Sequence, residues 1–180
     1  EGVEYVGTYD PNVQMTWSAG WTIPHGSTSA NAGIWTDNTC NCTCPASVGG
    51  LSVTQETDGT CTIAGGTMTE DATLTPDHVW NLGGSVFVGE DNPAAGNEVT
   101  LTIQPGTKIV GLTDLTSGIV PRLVISRGNK IIALGTQNAP ILMTGENESG
   151  TSEWGGLAVN GFAPINRGAQ ADGEAETGPY

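Results

Sequence analysis

The sequence predicts an all-β protein with almost no helix, built as a solenoid in which short strands stack coil on coil. Three observations carry that expectation. Glycine (27) and proline (10) interrupt the chain so often that no stretch of roughly 10 to 12 residues keeps a helical apolar period. The segments left between them are short and rich in Val, Ile and Thr, the composition of strands. Two of those segments also repeat one another in their apolar, lysine and glycine positions. A chain of 180 residues with 37% hydrophobic content suits one modest core, so residues 1–180 are read as a single domain.

Taken in order, residues 1–60 carry no repeat and are expected to form an irregular cover over one end of the coils. Cys40, Cys42 and Cys44 join Cys61 in an even set within a Thr-, Gly- and Asn-rich stretch, which reads as a disulfide staple in an oxidising compartment. Residues at i and i+2 of an extended chain lie about 6.5 Å apart, wider than the commonest disulfide spacing, so Cys61 is expected to reach back to one of the triplet. The CNCTC triplet is also similar to a soft thiolate cluster, of the kind that selects monovalent copper or zinc where cysteines stay reduced.

Residues 61–165 hold the strands. SVFVG, EVTLTI, TKIVG, RLVIS, KIIAL, PILMT and GGLAVN are each about four to six residues long. Placing LTIQPGTKIVGL (101–112) above LVISRGNKIIAL (123–134) aligns Leu101 with Leu123, Gly106 with Gly128, Lys108 with Lys130 and Ile109 with Ile131, at an offset of 22 residues. Gly84, Phe87 and Val88 stand 22 before Gly106, Ile109 and Val110 as a fainter copy. A repeat of this length is expected to be one coil that buries its apolar face only by stacking on its neighbours. Lys108 and Lys130 would then stack as a solvated ladder edge. The insertion TGENESGTSE must loop out, and residues 166–180 read as a tail.

Charge excludes several functions. Nineteen acidic residues against five Lys and Arg give a net charge of −14, which repels phosphate backbones and anionic membrane surfaces, so nucleic acid is not an expected partner. No run of roughly 18 apolar residues exists, so no membrane span is expected. The opening EGVEYVGTYD lacks the basic start and apolar stretch of a signal peptide. Together with the cysteines, this points to a secreted or cell-surface protein, associated with the outer surface, whose signal peptide has been removed. Neither a Ser-His-Asp arrangement nor a phosphate-cradling glycine loop is present, and no enzymatic activity is expected.

ATLTPDHVWNLGGSVFVG, followed by LTIQPGTKIVG, LVISRGNKIIALGT, APILMTG and WGGLAVNGFAPIN, resembles the parallel β-helix-type repeat of secreted proteins and lipoproteins of aquatic bacteria, over roughly residues 62 to 165. The resemblance implies a short right-handed parallel β-helix-like stack of about three coils, with an irregular disulfide-bearing N-terminal segment. A solenoid end is an open sheet edge, and a homodimer would cover it. The broad family has no single activity, so the fold alone implies none.

Only two histidines occur, His25 in WTIPHGST and His78 in TPDHVWNLGG. In a strand His78 and Trp80 share a face, so both could meet one ligand. The segment around His25 is expected to fold over the coils, where a second ligand would come from. Two neutral imidazoles suit copper, above all Cu(I), which accepts low coordination numbers, whereas zinc wants a cage of four. Such a chain is similar to the surface copper-binding proteins of methane-oxidising bacteria, the MopE and CorA type. That resemblance implies one copper held by His25, His78 and a Trp80 oxidised to kynurenine, for scavenging or delivery. Intact indole offers only an N–H donor, and only the ring-opened amine could ligate. The order here is His-x-Trp where the family motif runs Trp-x-His, which leaves Trp21, four residues before His25, as the other candidate for modification.

Glu70-Asp71, Glu90-Asp91 and Glu146 with Glu148 offer oxygens for calcium, without matching a recognised loop. Two rival functions are a structural or adhesive surface module without metal, and a polysaccharide lyase or glycosidase. An enzyme would need a carboxylate pair, or calcium with a basic residue, and Arg122, Arg127 and Arg167 lie in no dense acidic and aromatic stretch.

Overall fold

The computed structural model describes residues 42 to 163, apart from 115, 117, 119 and 148 to 152. A hairpin of β1 (Ser47–Val48) and β2 (Leu51–Gln55) leads into β3 (Cys61–Ile63), β4 (Gly66–Met68) and β5 (Ala72–Leu74), which make the first coil. The second coil is β6 (Val79–Leu82), β7 (Val86–Val88) and β8 (Thr100–Ile103), and the third is β9 (Lys108–Gly111), β10 (Leu123–Ile125) and β11 (Lys130–Ala133). β12 (Leu142–Gly145) and β13 (Leu157–Val159) open a fourth. No helix occurs among the described residues. All seven apolar segments picked out in the sequence are strands.

Each coil lays one strand on each of three faces. β3, β6, β9 and β12 pair in parallel on the first; β4, β7, β10 and β13 on the second; β5, β8 and β11 on the third. Alternate side chains of a strand point inward, so parallel register sets them in files down the axis. Cys61, Trp80, Ile109 and Met143 form one such file, and Met68, Val88, Ile125 and Val159 another. Cys61, Ile63, Val86, Val88, Leu101 and Ile109 are wholly buried, and the core is a single file-built cluster.

Two expectations are corrected. The 22-residue offset is not the coil: Leu101 stands between Ala72 and Ile131 and does not stack on Leu123. Successive coils place partners 19, 29 and 34 residues apart on the first face, through Cys61, Trp80, Ile109 and Met143. Lys108 accordingly pairs with Val79 and Leu142, while Lys130 pairs with Thr100, so the two lysines form no ladder. The second correction concerns the cover, part of which is regular. β1 and β2 run antiparallel and join β3, extending the first face beyond the first coil. Residues 1–41 and the tail from 164 onward lie outside the described residues.

Candidate metal centre

The return from β2 to β3 is a turn tied by its own polar groups. The Glu56 N–H donates to the Thr60 carbonyl at 2.9 Å, and the Asp58 carboxylate accepts from the Thr60 N–H at 2.9 Å and its hydroxyl at 2.8 Å. Those bonds, the backbone one foremost, hold the Asp58 carboxyl below its ordinary range. The Thr60 hydroxyl accepts from the Asn81 amide at 2.8 Å, so the turn is fastened to the next coil. Cys61 follows at once with no exposed surface, and its sulfur is bonded to half-buried Cys44 with Cα atoms 5.7 Å apart. The expected reach of Cys61 back to the triplet is therefore made by Cys44. Cys42 is also disulfide-bonded, and Cys40 lies outside the described residues.

His78 arrives from the other side. It sits in the corner just before β6, one residue short of the strand. Trp80 faces inward, 2% exposed, stacked in register on Cys61, and its indole N–H donates to the Thr75 carbonyl at 2.9 Å. The two rings meet edge to face, with centroids 5.3 Å apart and planes at 78°. His78 Nδ1 is buried and has no hydrogen-bond partner. A buried polar atom left unpaired costs about 1–3 kcal/mol, and such atoms call for a reason beyond stability. One ligand nitrogen of His78 and the sulfurs of Cys44 and Cys61 all lie within 4.8 Å of one another. Among the described residues no other group of three His, Cys, Asp or Glu side chains is gathered this closely.

Of the residues singled out in the sequence, the structure brings His78 and Trp80 together and gives them different work. Trp80 is a core side chain whose only polar atom is already engaged; its neighbour carries a free donor. His25 and Trp21 lie outside the described residues. The proximity of Cys61 to His78 was not read from the sequence, although Cys61 and Trp80 stand in one file. In two of the acidic pairs the aspartate is otherwise engaged. Asp91 makes a two-pronged ion pair with Arg127, 2.7 Å to Nε and 2.5 Å to Nη2, and Asp71 accepts from the Thr100 N–H at 2.7 Å. Glu148 lies outside the described residues.

A family model described as Pectate-lyase like beta helix domain matches residues 66–180. No curated protein and no solved structure matches the chain, so the likeness to the MopE and CorA type rests on its own residues. The match begins at β4, which puts His78 inside it and both bridged cysteines before it.

Proposed function

The chain belongs to the pectate-lyase-like β-helix family, and on that premise we propose that it is an extracytoplasmic metal-capture module in which His78 supplies an imidazole to copper. One observation carries this reading: a buried Nδ1 without a partner, on an imidazole close to the Cys44 and Cys61 sulfurs. Neutral imidazole is a ligand for copper, and a site walled by an apolar core favours the weakly hydrated Cu(I). His25 is the second imidazole of the proposal. Trp80 enters as a wall of the site, its indole N–H donated to the Thr75 carbonyl and its ring stacked in the file between Cys61 and Ile109. An oxidising location agrees with the Cys44–Cys61 bridge.

Metal analysis of protein purified from its native source tests the reading. One copper per chain is expected, lost in His78→Ala and in His25→Ala, with the mass of the Trp80 peptide unshifted. Copper retained by both variants would leave a structural module. The family name favours one second reading, a polyuronide lyase. Such an enzyme needs a basic residue as proton acceptor, but the Asp91 ion pair holds the Arg127 guanidinium protonated, which argues against Arg127 in that role. Release of unsaturated product from polygalacturonate, abolished in Arg127→Ala, would decide for it.

A further inference from the structure

The sulfurs of the Cys44–Cys61 bridge lie within 4.8 Å of a nitrogen of the same imidazole, and the bridge's chemistry differs between its two redox states. We propose that Cys44, Cys61 and His78 form a redox-gated site for one soft metal ion, closed while the sulfurs are bonded to each other and open when both are thiolates. The proposal rests on the metal-capture reading of His78, but on neither His25 nor copper.

Geometry supports it first. Thiolate and imidazole ligands of a tetrahedral ion, at roughly 2.3 and 2.0 Å from it, stand about 3.5–3.8 Å from each other. The imidazole is already within 4.8 Å of both sulfurs, so the sulfurs have to part and the imidazole has to close in by no more than about 1.3 Å. Cys61 is pinned in β3 on the floor of the first coil, whereas half-buried Cys44 precedes the hairpin and lies outside any strand. Cys44 is thus the sulfur that moves, and the one a reductant meets. Chemistry supports it second. A disulfide sulfur is a poor ligand, and two thiolates with an imidazole are a soft set that selects Cu(I) or Zn(II) over Ca(II) or Mg(II). Three donors complete a trigonal Cu(I) centre and leave zinc one open position.

The step balances through a dithiol reductant. Its thiolate attacks Cys44 Sγ and expels the Cys61 thiolate; its second thiol then releases Cys44 and closes the reductant's own disulfide. The protein gains two electrons and two protons. Metal binding returns the two protons to solvent as the thiols ionise.

The test uses the full chain carrying Cys40→Ser and Cys42→Ser, so that Cys44 and Cys61 are the only thiols, and Co(II) as the probe. Oxidised protein should give no sulfur-to-cobalt charge-transfer band. After reduction and anaerobic removal of the reductant, it should bind one Co(II) per chain with that band and the visible spectrum of a tetrahedral ion. Adding His78→Ala should weaken binding by at least about tenfold and alter the visible bands. Circular dichroism of the reduced, metal-free chain should keep its β-sheet signal. Absence of the charge-transfer band, an unchanged titration in His78→Ala, or a β-sheet signal that is lost on reduction and not restored by cobalt would each overturn the proposal. Copper content of the oxidised native protein, and its loss in His25→Ala, decide the earlier reading separately.

Discussion

His78 and Trp80 differ by two positions and by almost everything else. Trp80 is stacked between Cys61 and Ile109, and truncating it leaves a cavity in the core. Trp80→Ala should cost about 3–5 kcal/mol in denaturant unfolding. Trp80→Phe keeps an aromatic ring but strands the Thr75 carbonyl, and should cost less than half as much. A conservative effect of both would mean the indole is not the core residue described. Rarity made His78 legible in the sequence. Its sulfur neighbours were not, because their proximity depends on a turn whose fastening to Asn81 is a matter of one hydroxyl, a carboxylate and an amide, with no periodic signature. Asp91 offers a pH-dependent test at the same scale. Its bond to the Arg127 guanidinium holds its carboxyl below the ordinary value of 3.8. A carboxyl lowered on folding stabilises the native state above its unfolded value and loses that contribution as pH falls through the folded one. Asp91→Asn should therefore lower the melting temperature at neutral pH, with the gap to wild type closing as the pH drops below 3.8.

Strands were legible and coils were not, for a reason that lies in the corners. The stretch QPGT bends the chain from β8 to β9, and SRGN bends it from β10 to β11. In both, the fourth N–H donates to the first carbonyl, at 3.3 and 3.1 Å, and the third residue is a glycine with φ of +82° or +85°. One kind of corner used at two different vertices produces a sequence echo at 22 residues, while the coil length drifts with the loops between strands. Pro105 before Gly106 and Arg127 before Gly128 satisfy the same turn, which prefers proline at its second position and glycine at its third. The strands β1 to β5 escaped the list of candidates because Thr and Gly outnumber large apolar residues over the stretch 47–74 that holds them. Space separates the two glycines. A Cβ at Gly106 would meet nothing closer than Pro76 at 3.5 Å, whereas one at Gly128 would meet Pro93 at 2.9 Å. Gly106→Ala should cost about 1–2 kcal/mol, the left-handed backbone term alone. Gly128→Ala adds the clash with a rigid ring and should cost about 1–3 kcal/mol more, read from the shift in urea midpoint.

Across the whole molecule, each coil touches only its neighbours, so stability is close to a sum of coil and interface contributions, and the ends are weakest. The far end leaves Leu134, Leu157, Val159 and Phe162 exposed on or beside edge strands. The near end is instead closed by the hairpin and by a disulfide spanning 17 residues, which ties the chain before β1 to the floor of the first coil. A loop of that size is worth about 3 kcal/mol through the entropy of the unfolded chain. In a molecule with nearest-neighbour energetics that stabilisation is local. Reduction should accordingly speed hydrogen exchange in β1, β2 and β3 by about a hundredfold, corresponding to that figure, leave β9 and β10 unchanged, and affect β6 only through the turn bonded to Asn81. Zinc or cobalt added to the reduced protein should return the protection at β3, because the ion would close the same loop. Exchange rising evenly from β1 to β13 would show that the coils unfold as one unit and would remove the basis for a gate confined to the first of them.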